Sequence, residues 1–228
     1  MRRLAFYGLS VLAVFFCFRP GFAEEKRPVT LRFNIIQDQV IYEESDYGEP
    51  PQVAIWLEDP VTGKTRTIYV TYRTATGNFK GKVECPVALP IWIGVYRKEF
   101  GREGFPTPRS LSPEAITRAT SKTGLVTAEV EVPLSSRWRY YIEMNVAGDF
   151  NRHFPLETED HRLDYHGNAQ PSLVYRGEIT AEPGNRSTPQ PVGRSDQYQF
   201  TSEMITDLKG MDSALECFKS IEVECLRR

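Results

Sequence analysis

Residues 52–74, QVAIWLEDPVTGKTRTIYVTYRT, read as two strands joined by a tight loop, and that reading decides the fold class. In the first half, Val53, Ile55 and Leu57 fall on one face and Ala54 and Trp56 on the other. Thr65 to Thr74 is rich in β-branched and aromatic residues, which suit a pleated surface. Between them, Asp59-Pro60-Val61-Thr62-Gly63 forms a hairpin loop that ends in Gly.

The same signals recur along the chain in VTLRFNII (29–36), LVTAEVEVP (125–133), RYYIEMNV (139–146) and SLVYRGEIT (172–180). Ser220 to Leu226 alternates as a last strand after a helix-like stretch that begins at Met211. With 16 Pro and 16 Gly among short strands, the pattern specifies an all-β antiparallel sandwich rather than an α/β fold. Helical signals are few. Residues 85–101 are bracketed by prolines and hold one or two turns that pack Trp92 and Tyr96. Residues 112–120 carry a helix start, with Ser112 as N-cap, Pro113 at the first position and Glu114 in the first turn. Residues 181–202 read as a surface loop within the domain. Trp56 and Trp92 are assigned to the core, and Trp138, between two arginines, is the one of the three most open to exposure.

The beginning of the chain has the parts of a secretory signal: Arg2 and Arg3, an apolar run from Leu4 to Phe18, and a small-residue end at Ala23. That run is shorter than the ~20 apolar residues a spanning helix needs. Residues 1–23 are therefore expected to be a signal peptide, and 24–228 a single exported, soluble, periplasmic domain. The formal net charge is −2, and removing the three leader arginines takes it to −5 with no basic patch, which argues against nucleic acid as a partner. Cys85, Cys217 and Cys225 remain, and an oxidising compartment permits one disulfide among them. Cys217 and Cys225 could pair only if a turn lies between them.

Six strings taken in order resemble a family of uncharacterised exported bacterial proteins, a domain of unknown function. They are VAIWLEDPVTGKTRTIYVTYRTATGNF (53–79), ALPIW (88–92), PEAITRATS (113–121), YYIEMNVAGDFN (140–151), NAQPSLVYRGEI (168–179) and TDLKGMDSALECFKSIEV (206–223). The resemblance covers residues 29–226 and implies an immunoglobulin- or fibronectin-like β-sandwich, to which the local signals above add one or two short helical segments. It also implies a place beside membrane-bound flavin or haem reductases and the enzymes that attach flavin to exported proteins. It implies no reaction.

Two stretches carry candidate chemistry. Exported flavoproteins with covalent FMN use an acidic residue, then Thr or Ser, then Gly-Ala-Thr. Glu114, Thr117, Ala119 and Thr120 fall on that spacing, with Thr120 as acceptor, but Arg118 stands in the place of Gly. The plainer reading is a capped turn. The second stretch, GDFNRHFPLETEDHRLDYH (148–166), holds all three histidines. Asp149, Asn151, His153, His161 and His166 offer oxygen and imidazole ligands to a divalent cation, although an acidic solvated loop has the same composition. There is no Gly-x-Ser-x-Gly, no His-Glu-x-x-His and no phosphate-binding glycine loop, so the chain reads as a non-enzyme, and no cofactor follows from the sequence itself. The expected function is an exported binding or accessory module of the cell envelope, docking a membrane-bound redox protein through residues 102–124 and 148–170. The alternative is a metal or flavin carrier using the 149–166 cluster or Thr120.

Overall fold

The computed structural model describes residues 27–79, 85, 87–107, the backbone of 116–118, 124–198 and 200–227. In chain order the elements begin with β1 (Pro28–Gln37), α1 (Gln39–Glu43), β2 (Gln52–Glu58), β3 (Thr65–Thr71) and α2 (Tyr72–Thr76). They continue with α3 (Pro90–Phe100), β4 (Ile116–Arg118), β5 (Leu125–Pro133), β6 (Arg137–Asn145) and β7 (Leu173–Thr180). The last are β8 (Arg186–Ser187), β9 (Gln190–Arg194), α4 (Ser213–Glu216) and β10 (Phe218–Leu226). The strands form two open sheets, ordered β5-β1-β10-β8 and β4-β3-β2-β6-β7-β9, and every pairing but the parallel one between β3 and β4 is antiparallel. The fold is an all-β sandwich.

The period-two pattern of the sequence is cashed out strand by strand. In β1, Val29, Leu31, Phe33 and Ile35 are buried, while Thr30, Arg32 and Asn34 are only partly covered and face outward. From β6, Tyr140, Ile142 and Met144 meet them across the inter-sheet core, where the Phe33 and Tyr140 rings stand edge to face at 5.5 Å. Tyr140 fits because residue 177 on the neighbouring strand is glycine: a Cβ there would collide with the phenol ring. The β2–β3 hairpin forms as read from the sequence. Asp59 Oδ1 accepts the N–H groups of Val61 and Thr62, and Gly63 closes the loop in the left-handed region at φ 65°.

β2 is buried along nearly its whole length because its second face is covered as well. The covering element is α3, eleven residues and about three turns, longer than the one or two turns expected. It lays Trp92 and Tyr96 over Ala54, Trp56, Val70 and Val174, giving a second core outside the sandwich. Trp56 stacks on Tyr141 at 5.2 Å with the rings 8° from parallel. α3 is also held by polar contacts. The Glu99 carboxylate accepts the Thr67 N–H at 3.0 Å and its Oγ1–H at 2.6 Å, next to the bulge at Ile55/Trp56, and Trp92 Nε1 donates to Thr67 Oγ1 at 3.2 Å.

Two sequence expectations are corrected. Ile116–Arg118 is a strand beside Tyr69–Thr71, not part of a helix running to residue 120; residues 112–115, with the expected cap, lie outside the described residues. The segment 181–202 contains β8 and β9 rather than only loop, because Gln190–Arg194 pairs with the edge of β7. As its place between two arginines suggests, Trp138 is the most exposed of the three tryptophans; it is half-buried against the inter-sheet core, with Nε1 donating to Ser136 Oγ at 2.8 Å. The signal segment 1–23 also lies outside the described residues.

Register fixes where the loops gather. Asn145 is opposite Gln52, Met144 opposite Leu173, and Leu173 opposite Arg194. The connections 38–51, 146–172 and 195–212 therefore all leave one end of the six-stranded sheet.

Candidate functional site

Loops this long need partners for their backbone, and here buried polar side chains supply them. Gln170 is the first hub. Its N–H donates to Asp149 Oδ1 at 3.2 Å, its Nε2 to Asp149 Oδ2 at 3.1 Å, and its Oε1 accepts the Asp212 N–H at 2.8 Å. Ser213 Oγ–H completes the set, donating to Asp149 Oδ2 at 3.1 Å. Asp164 is the second hub. Its carboxylate accepts the N–H of Ala169 at 2.8 Å, the N–H of His166 at 3.3 Å and Gln197 Nε2 at 3.3 Å, so it clasps 164–169 to the 195–200 segment. Asn145 Nδ2 reaches the carbonyls of Asn168 and Gln170, and the Cys85 thiol donates to Asn168 Oδ1 at 2.9 Å. Burial pushes the Asp149 carboxyl up to about 8, against the hydrogen bonds from Ser213 and Gln170 that favour its charge. It pushes the Cys85 and Cys217 thiols up to about 12.

On this pinned layer sits a cleft of about 360 Å³, lined by His161, Arg162, Asp164, Tyr165, His166, Gln197, Tyr198 and Phe200. Arg162 lies over the Tyr198 ring at 4.1 Å, a cation–π contact, and the His166 and Phe200 rings meet edge to face at 5.2 Å. His161, held in the left-handed region at φ 61°, has Nδ1 2.7 Å from Glu157 Oε1. Tyr165 is 84% exposed and Phe200 51%, and the same loops leave Leu156 at 48% and Met204 at 38%.

The five residues read as metal ligands do not converge. Asp149 is sealed in the Gln170 hub, and Asn151 makes a turn, accepting the N–H groups of His153 and Phe154 at 2.9 Å and donating to the Gly210 carbonyl at 2.8 Å. His153 lies against Gly210, His161 bonds Glu157, and His166 packs on Phe200. Among the described residues, no group of three His, Cys, Asp or Glu is placed to hold a metal ion. Thr117 is a residue of β4, where its backbone pairs with Val70, and Thr120 lies outside the described residues. Cys85, Cys217 and Cys225 are buried free thiols. The last two sit just before and within one strand, with no turn between them, which rules out their pairing.

Sequence reading placed a surface at 148–170 but missed its other wall, Tyr198 and Phe200. The signal was there: two aromatics alternate in Gln197-Tyr198-Gln199-Phe200, within a segment assigned wholly to polar loop. Compared with family models, with curated proteins and with solved structures, the chain gives no match. Among the described residues, no helix is long and apolar enough to cross a membrane.

Proposed function

We propose that this chain is an exported binding or accessory module of the cell envelope, whose contact surface is the loop face formed by residues 156–166 and 197–204. One observation carries the reading. Tyr165 and Phe200 leave large aromatic groups in water at the wall of a cleft, Leu156 and Met204 are exposed on the same loops, and those loops are fixed by buried hydrogen bonds. Exposed apolar groups gathered on a rigid support are what a binding surface requires.

The strand order supports an immunoglobulin- or fibronectin-like sandwich. β5 pairs with β1 in one sheet, β3-β2-β6-β7 run side by side in the other, and β10 takes the place beside β1 that a first strand takes in that topology. The leader supports export to the periplasm, and the family resemblance supplies a membrane flavin or haem redox protein as partner. No reaction is assigned. The reading is tested by affinity capture from solubilised envelope membranes with the mature chain. A defined redox partner should be retained by wild type and by Glu129→Ala, on the outer face of the other sheet, and lost by Tyr165→Ser/Phe200→Ser. Equal retention by all three would contradict it.

A further inference from the structure

The cleft holds a particular mixture of groups. Two aromatic faces, Tyr165 and Phe200, stand open to solvent at its wall. Arg162 lies over the Tyr198 ring at the wall of the cleft and brings guanidinium N–H donors to it. Acceptors lie close by. Asp160 is held by Thr158 at 2.6 Å, Glu157 by His161 at 2.7 Å, and Asp160, Asp164 and Asp196 all act electrostatically on Tyr198.

This charge balance selects the ligand. Arg162 shares the cleft with the Asp164 carboxylate, and Asp160 and Asp196 act on the same Tyr198 ring, so a phosphate or other multiply charged anion meets carboxylates as well as one guanidinium. A cation meets the like charge of Arg162, which already lies over the Tyr198 ring. Hydroxyl groups both donate and accept, and so use Arg162 and the rim carboxylates together. The apolar C–H face of a sugar ring lies flat on an exposed aromatic ring and removes apolar area from water. A volume of about 360 Å³ is at the small end of ligand sites and matches one or two rings.

We propose that the cleft between Tyr165, Phe200 and Arg162 binds a neutral pyranose ring of a glycan. The proposal rests on the reading of this loop face as the contact surface, and goes beyond it by naming a ligand.

The test is calorimetric titration of the mature chain with maltotetraose, cellotetraose and N,N′,N″,N‴-tetraacetylchitotetraose, with inorganic phosphate as competitor. At least one tetraose should bind saturably and not be displaced by phosphate. Tyr165→Ala and Phe200→Ala, at exposed positions where folding is not at stake, should each weaken binding about tenfold, in line with the loss of one ring contact. Arg162→Met should weaken it while leaving the circular-dichroism spectrum unchanged. Binding of none of the three, displacement by phosphate, or undiminished binding by both ring variants would overturn the proposal. Failure of every tetraose while Tyr165→Ser/Phe200→Ser still abolishes partner capture removes the sugar and leaves the contact surface standing. Failure in both assays removes both.

Discussion

Glu143, projecting outward from β6, caps a helix it does not belong to: its carboxylate accepts the backbone N–H of Trp92 at 2.6 Å and that of Ile91 at 3.2 Å. α3 needs this, because its N-cap residue, Leu89, has no side-chain acceptor for the free N–H groups of the first turn. Ser172 donates to the same carboxylate and in turn bonds Ser195 Oγ, so one fully buried acid joins α3 to β6, to the start of β7 and to the end of β9. Burial pushes its pKa up to about 7, against the three hydrogen bonds that favour the charged form.

Glu143→Gln places an amide donor against backbone donors. It should cost about 1–3 kcal/mol in chemical denaturation, the usual range for a buried hydrogen-bonding group left unmatched. Hydrogen exchange should quicken first at the amides of Ile91 and Trp92. Unchanged exchange there would show that α3 is held without the cap.

Stability should fall as pH rises. Asp149 has a folded pKa of about 8, above the ordinary carboxylate range near 4. The folded state therefore holds the proton more tightly than the unfolded chain. That contribution is complete below the unfolded value and is lost as pH climbs through about 8; Glu143 adds a loss in the same direction through about 7. Urea melts from mildly acidic to mildly alkaline pH should show wild type weakening across this window. Asp149→Asn, which imitates the protonated acid, should show a shallower slope and exceed wild type at the alkaline end. Parallel profiles for the two proteins would contradict the assignment.

Gln37, at the end of β1, is 2% exposed, and neither its Oε1 nor its Nε2 has a hydrogen-bond partner among the described residues. Gln37→Met keeps the length and removes the unmatched amide, so it should stabilise the fold by about 1 kcal/mol and raise Tm. A lower Tm would mean that the amide is satisfied in solution.

The thiols are shielded. Cys85, Cys217 and Cys225 are all buried, and burial raises the pKa of each. A thiol reagent should modify none of them at neutral pH in the native protein and all three after unfolding. An intact mass two hydrogens lighter than the reduced chain would reveal a disulfide and contradict the free thiols.

The strands were legible because each carries its pattern locally. β5 occupies exactly the Leu125–Pro133 stretch whose alternation marks it, and the Asp59–Gly63 loop follows from turn chemistry alone. What the sequence hid depends on partners far along the chain. The cap on α3 comes from Glu143, some fifty residues downstream, and β4 takes its extended form beside β3 despite a local helix-start signal. The candidate site divides in the same way. The polar 148–166 stretch was visible, but Asp149 and Asn151 resemble metal ligands only until their bonds to Gln170 and Gly210 are seen. Tyr198 and Phe200 reach the cleft through the Asp164–Gln197 clasp, a contact no local pattern encodes.

The central claim is that the Tyr165–Phe200 loop face is where this protein meets its partner. It is tested most directly by a photo-crosslinking amino acid placed at position 165 in living cells, with Glu129 on the opposite sheet as the comparison site. Crosslinks at 165 should identify one envelope partner by mass spectrometry and disappear with Phe200→Ser, while position 129 yields none. The same partner crosslinked equally from 129, or none crosslinked from 165, would contradict it.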